Sequence, residues 1–320
     1  MSDNINVLLV GCGYMGTEYA KAFKDLKINL TVVGNSEEGT KKFSEETGMT
    51  AIPGGLSEYL TKQPCQCETA VLATPITRIA GNAIELIKKG YKKILIEKPA
   101  GLDENDLEKI CDVATEADAE VYVAYNRRFY AATKKAMDII AKDGGVTSFN
   151  FEFTEWADSV ENSENTESVL GNWLFANSSH VIDLAFFLGG HPVEMTSFVE
   201  GSFSWHKNGA IYSGAGKTDK GALFSYQANW KAPGRWGVEV LTEKHRLIFR
   251  PLEKLQCQNL NSVAIEEVEI DDEMDRKYKP GIYAEVEAFL FGVGAEKLLT
   301  IQDALKMIPI YEKIAGVNKQ

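Results

Sequence analysis

Two hydrophobic periods run along this chain, and the switch between them divides it. From residue 7 to about 124, short apolar runs alternate with segments that are apolar at helical spacing. Val7-Leu8-Leu9-Val10 predicts a buried strand, and 17–23 predicts the first turns of a helix. Further strands are expected at 30–33, 70–73, 93–96 and 120–124. Helices are expected near 38–47, 80–88 and 107–117, the last capped by Asp103. Strands alternating with helices predict parallel βαβ units in a doubly wound sheet.

After Asn126 the texture changes. The pattern predicts an amphipathic helix over 130–141, closed by Asp143-Gly144-Gly145, and an alternating strand over 146–153. The polar stretch 158–168 has no apolar period and reads as a loop, while 169–188 contains a helix ended by Gly189-Gly190. Alternation at 196–203, 209–212, 222–230, 237–241, 247–249 and 263–270 predicts antiparallel strands. Helices close the chain at 283–291 and 300–315. The fold class expected is α/β: a doubly wound parallel sheet over 1–124, then an α+β domain over 125–299 built on a large, mostly antiparallel, open-faced sheet. That open face would suit a homodimer or homotetramer.

Composition narrows the function classes. The 320 residues are 44% hydrophobic and 25% charged, an ordinary globular balance that allows two domains. A net charge of −12 argues against nucleic acid or anionic lipid as partner. No run reaches the roughly 18 apolar residues of a membrane span. Met1-Ser2-Asp3-Asn4 shows no basic leader, and the expected location is the cytoplasm. Cys12, Cys65, Cys67, Cys111 and Cys257 are odd in number and scattered, so reduced thiols are expected. Cys65 and Cys67 have no second pair to complete a zinc site, and no metal is expected.

The first strand runs into Gly11-Cys12-Gly13-Tyr14-Met15-Gly16, a Gly-x-Gly-x-x-Gly turn that opens a helix. Strand, glycine turn and helix in that order are the setting of a Rossmann dinucleotide fingerprint. Gly11 permits the tight turn, Gly13 lets backbone approach a pyrophosphate, and Gly16 lets helix and strand pack closely. The cofactor expected is NAD(P). An NAD site commonly has an acidic residue about twenty positions on, for the ribose hydroxyls. Here Gly34-Asn35-Ser36 precedes Glu37, and no Arg stands nearby for a 2′-phosphate. Asn35 and Ser36 could bond a ribose or a phosphate, with Lys41 in reach of the latter. The missing carboxylate tips the expectation toward NADP.

Two more clusters carry chemistry. Glu97-Lys98-Pro99 ends a central-type strand, beyond which ligands bind in open α/β sheets. His180-x-x-Asp183 puts a histidine and an aspartate on one helix face. Taken singly, the first also reads as a polar strand end, and His180 as a hydrogen-bonded, partly buried histidine. His180 and Asp183 could ligate a metal only with a third partner that the sequence does not supply.

Jointly these motifs resemble the glucose–fructose oxidoreductase, inositol dehydrogenase and MocA family (Gfo/Idh/MocA), over nearly the whole chain. Gly11–Gly16 resembles its cofactor turn, Ala73-Thr74-Pro75 its nicotinamide-side segment, and Glu97-Lys98-Pro99 its signature tripeptide. Asn126-Arg127-Arg128-Phe129 is similar to its domain crossover, His180-x-x-Asp183-Leu184 to its catalytic helix, and 278–283 to the segment before its late helix. The resemblance implies hydride transfer between nicotinamide and a secondary hydroxyl or ketone of a sugar, nucleotide sugar or polyol. It implies His180 as general base or acid, Lys98 bonded to the reacting oxygen, and Asp183 holding substrate or orienting the imidazole. It further implies that 300–320 packs back on the first domain.

By the same resemblance, Gly11, Gly13, Tyr14, Met15, Gly16, Asn35, Ser36, Thr74, Pro75, Glu97 and Lys98 are the candidate cofactor residues. Asn126, Arg128, Asn177, Arg235 and Trp236 are the candidate substrate residues. Trp156 and Trp173 could stack on a sugar ring. One departure matters: the family usually has an aspartate four residues before its catalytic histidine, and here Ala176 stands there. Asp183 or Asn177 would have to substitute for it. Two other readings stay open, an NAD-dependent glycosidase of the same family and a non-catalytic NAD(P)-binding regulator.

Overall fold

The computed structural model describes residues 5–63 and 67–317, so Cys65 and the first four residues lie outside the described part. By contact the chain forms two units, Met1–Asn126 with Met274–Lys306 and Arg127–Glu273 with Met307–Gln320.

The first unit alternates as its apolar pattern predicts: β1 (Asn6–Val10), α1 (Tyr14–Asp25), β2 (Asn29–Val33), α2 (Glu37–Thr47), β3 (Ala51–Ile52), α3 (Gly55–Lys62), β4 (Thr69–Leu72), α4 (Ile76–Lys88), β5 (Lys93–Glu97), α5 (Glu104–Glu116) and β6 (Glu120–Ala124). Asp103 caps α5 as expected, its side chain accepting from the Asp106 N–H at 3.1 Å. The sheet order β6-β5-β4-β1-β2-β3 is parallel throughout, and it reverses direction of growth at β1, between β4 and β2. That reversal opens a crevice beyond the carboxyl ends of β1, β2 and β4.

The second unit contains α6 (Ala131–Lys142), β7 (Ser148–Glu152), α7 (Ala157–Glu161), α8 (Glu167–Gly171), a π-helical turn (Leu174–Ser178) and α9 (Ser179–Gly189). Strands β8 (Pro192–Glu200), β9 (Ile211–Thr218), β10 (Leu223–Asn229), β11 (Gly237–Leu241), β12 (His245–Phe249), β13 (Gln256–Asn259) and β14 (Ile265–Glu267) complete it. Their sheet runs β14-β13-β12-β11-β7-β10-β9-β8, antiparallel except for the β7–β10 pair. Phe149, Phe151, Phe224 and Tyr226 stack beneath α9, whose Phe186 meets Phe149 edge-on. A Cβ on Gly189 would strike the Phe149 ring, so only glycine lets the end of α9 pack this closely on the sheet. The opposite face exposes Phe198, Ile211 and Leu223.

Returning to the first unit, α10 (Glu273–Lys277) leads to α11 (Ile282–Phe291), then β15 (Leu299–Thr300) and α12 (Ile301–Ile314). Ile282, Val286 and Phe289 of α11 join Tyr19 and Phe23 of α1 in one apolar cluster, and β15 pairs antiparallel with β6. Burial of each such side chain contributes about 1.5–3 kcal/mol. The return to this unit therefore spans Met274–Lys306, and Met307–Gln320 groups with the second unit.

The elements differ from the pattern in places with a physical reason. The stretch read as a loop contains α7 and α8, which at five residues each are too short to show a period. The helix expected over 169–188 breaks at Gly171-Asn172 and resumes through the π turn. β3, α3 and the polar strand β13 were invisible to an apolar period.

Candidate active site

In the first unit the loops after β1, β2 and β4, with β3–α3, line a cleft of about 790 Å³. Of the residues expected to bind cofactor, Gly11, Gly13, Tyr14, Met15, Asn35, Ser36, Thr74 and Pro75 line it. Gly11 sits at φ +121°, and a Cβ there would meet the Ala73 carbonyl. A Cβ on Gly16 would collide with the Gly11 carbonyl oxygen. Gly13 is different: nothing lies within 4 Å of where its Cβ would stand. Gly11 and Gly16 thus serve packing, and Gly13 leaves space for a ligand. Beyond it α1 begins with no acidic residue in its first turn, so its free N–H groups and partial positive charge meet an anion unopposed. Cys12 in this turn stays a neutral thiol, because burial pushes it up to about 11. The residues fit a dinucleotide.

Sequence reasoning missed one residue here. Arg78, on the first turn of α4, donates from Nη1 to the Asn35 Oδ1 at 3.2 Å. Arg78 lies 43 positions from Asn35 in sequence, and the sheet crossing brings it there from beyond β4.

Lys98 follows β5 and is half-buried. Behind it, the Tyr19 hydroxyl donates to Glu97 Oε1 at 2.9 Å and to Glu285 Oε2 at 3.4 Å. Desolvation pushes the Glu97 carboxyl up, while the Lys98 charge and the Tyr19 bond pull the other way. This network seats the end of β5 against α1 and α11. Asn126 donates to the Pro280 carbonyl at 2.9 Å, which anchors the late segment to the same unit.

In the second unit His180 is 7% exposed at the start of α9, its ring centroid 6.2 Å from that of Trp236. Arg128 forks onto Asp183, with Nε to Oδ2 at 2.8 Å and Nη2 to Oδ1 at 2.6 Å. Both residues were expected to touch substrate or orient the imidazole. The geometry makes them a brace between α9 and the turn after β6, with both carboxylate oxygens engaged by the guanidinium.

Glu155, three residues past the β7–β10 pairing, was not singled out from sequence. At 2% exposure it gathers four donors: Asn177 Nδ2 at 3.0 Å, Ser178 Oγ at 2.7 Å, Trp236 Nε1 at 3.2 Å and Arg235 Nη1 at 3.0 Å. Burial pushes its carboxyl up, against the Ser178 bond and the Arg235 charge. Arg235 lies between the Trp156 and Trp236 rings, 4.8 and 4.4 Å from their centroids, and Arg127 lies 4.9 Å from that of Trp236. So a buried carboxylate fixes the segment leading into His180 together with Asn177, Arg235 and Trp236. Among the described residues no three His, Cys, Asp or Glu side chains gather as a metal site. No helix among them is long and apolar enough to cross a membrane.

Residues 5–125 match the model of an oxidoreductase family with an NAD-binding Rossmann fold. Solved structures share the fold across the chain. An NAD binding oxidoreductase from Klebsiella pneumoniae is 17% identical, covering 98% of this chain and 96% of its own, with a TM-score of 0.78. A UDP-N-acetylglucosamine 3-dehydrogenase from Acidithiobacillus ferrooxidans is 15% identical, covering 98% and 97%, with a TM-score of 0.75. A levoglucosan dehydrogenase in complex with NADH and L-sorbose is 18% identical, covering 98% and 96%, with a TM-score of 0.77. At these identities the likeness is one of fold. No curated protein matches the chain.

Proposed function

We propose that this chain, whose residues 5–125 match the model of the Gfo/Idh/MocA oxidoreductase family, interconverts a secondary hydroxyl and a ketone on a sugar, nucleotide sugar or polyol. The observation that carries this reading is the glycine cleft, with Gly13 open and α1 presenting an unopposed N-terminus. NAD(P), when bound, supplies the hydride acceptor or donor. The pyrophosphate would rest on Gly13 and the start of α1, with Asn35 and Ser36 at the adenosine ribose and Thr74 and Pro75 along the cleft.

The remaining work falls to side chains. Lys98 hydrogen-bonds the reacting oxygen, and its charge favours the developing alkoxide. His180 takes the hydroxyl proton on its imidazole and returns it in the reverse direction, the general acid–base role that imidazole commonly fills. Glu155 supplies the buried carboxylate that Ala176 lacks: it does not replace the aspartate in place but holds Asn177, Arg235 and Trp236 as a unit. Asn177, Arg235 and Trp236 contact the substrate, with Trp156, 59% exposed, as a stacking platform. Arg128 and Asp183 position α9. The open face carrying Phe198, Ile211 and Leu223 pairs with a second copy as a homodimer or homotetramer.

The test is a panel of sugars, nucleotide sugars and polyols with NAD+ and NADP+, followed by absorbance at 340 nm. Turnover on a member of the panel supports the reading. Free sugar released without net change in NAD(P)H would make the chain a glycosidase, and dinucleotide binding without turnover across the panel would make it a regulator, the reading that Ala176 favours.

A further inference from the structure

Charge in the cleft is sparse and placed at one point. Among the described residues lining it, Arg78 is the one charged side chain. It stands beside the residues that follow β2, since its Nη1 bonds Asn35 Oδ1 at 3.2 Å across 43 positions of sequence. Ser36 there caps α2, its Oγ accepting from the Gly39 N–H at 3.2 Å. Glu37 and Glu38 begin α2 but lie outside the cleft lining. A cation therefore stands beside the position where an NAD site commonly holds a carboxylate for the ribose hydroxyls.

We infer that Arg78 recognises the 2′-phosphate of the adenosine half of the cofactor, and so makes this chain bind NADP(H) in preference to NAD(H). The inference rests on the dinucleotide reading above and adds to it the residue that chooses between the two forms. A guanidinium is a planar fork of five N–H donors, permanently charged. Asn35 fixes one edge of that fork, and a phosphate with close to two negative charges takes another in charge-assisted bonds. NAD(H) leaves this guanidinium without its anion but meets no repulsion, so it binds more weakly and is not refused. Arg78 and Asn35 are both exposed, so changing them leaves the core untouched.

The experiment measures binding alone. Calorimetry compares 2′,5′-ADP with 5′-AMP, and fluorescence titration compares NADPH with NADH, for wild type, R78A, R78K and N35D. Wild type is expected to favour each 2′-phosphorylated ligand on the order of 10- to 100-fold. R78A is expected to lose that preference while its affinity for NADH stays within about threefold. R78K, which keeps charge without the fork, retains part of it, and N35D abolishes it by placing a carboxylate beside the phosphate. Unchanged thermal midpoints show that the variants fold. Equal binding of 2′,5′-ADP and 5′-AMP by wild type, or a preference that survives in R78A, overturns the inference while leaving the dinucleotide reading in place. Failure of wild type to bind either dinucleotide overturns both.

Discussion

Arg128 holds Asp183 by both carboxylate oxygens, at 2.8 and 2.6 Å, with side chains only 8% and 1% exposed. This pair ties the turn after β6 to α9, three residues on from His180. Removing one partner leaves a buried charge uncompensated, which costs about 3–5 kcal/mol. Asp183→Asn is therefore expected to unfold at markedly lower denaturant, whereas the double variant Arg128→Met with Asp183→Leu recovers most of the loss. Equal stability of wild type and Asp183→Asn in a urea melt would contradict the brace.

The glycine turn separates packing from binding. Gly16→Ala drives a methyl into the Gly11 carbonyl oxygen, so it destabilises the first unit. Gly13→Ala meets nothing within 4 Å and should fold with an unchanged thermal midpoint. Its methyl nevertheless occupies the proposed pyrophosphate seat, so dinucleotide affinity should fall by on the order of tenfold or more. Wild-type affinity in Gly13→Ala would remove the pyrophosphate from that position.

Once a substrate is known, Lys98→Ala and His180→Ala should each lower kcat by on the order of 10²–10⁴. Glu155→Gln acts through others: an amide cannot accept on both sides, so Arg235 is released and kcat/KM falls by about 10- to 100-fold. Retention of most turnover in either alanine variant would make the assignment of Lys98 and His180 wrong. If Glu155→Gln matched wild type, the carboxylate would have no part in positioning Arg235 and Trp236.

His206 links stability to pH. It is buried, with Nδ1 3.2 Å from the Leu170 carbonyl and Nε2 3.1 Å from the Tyr212 hydroxyl. Desolvation lowers its pKa below the ordinary 6.5, against the upward pull of the Leu170 and Gly171 backbone. The unfolded chain takes up a proton near 6.5, while the folded chain resists it to lower pH. The stabilisation is complete above 6.5 and is lost as pH falls through the lowered folded value. Thermal midpoints measured between about pH 7 and 5 should fall more steeply for wild type than for His206→Gln. Parallel slopes for the two proteins would locate the acid sensitivity in other groups.

The doubly wound sheet was legible because β1, β4 and β5 are continuous apolar runs and the glycine turn sits in its required setting. The C-terminal sheet was legible from alternation, apart from the parallel β7–β10 pair, which a period cannot reveal. The site was less legible, and for one reason. Arg78 meets Asn35 across 43 residues, Glu155 meets Arg235 across 80, and Arg128 meets Asp183 across 55. Motif spacing finds neighbours on one element, as it found His180 and Asp183 on α9. It does not find the partner that another element brings to the same place, as Arg128 is brought to Asp183. Glu155 left only a faint signal, a carboxylate flanked by Thr154 and Trp156 just past the apolar alternation of β7.

Hydride transfer is tested most directly by isotope. The keto form of the substrate found on the panel is incubated with reduced dinucleotide carrying two deuterium atoms at nicotinamide C4, and the sugar product is examined by mass spectrometry. The expected product carries one deuterium on the carbon that bears the new hydroxyl, and none forms with His180→Ala on the same timescale. A sugar product without deuterium on that carbon would contradict the account.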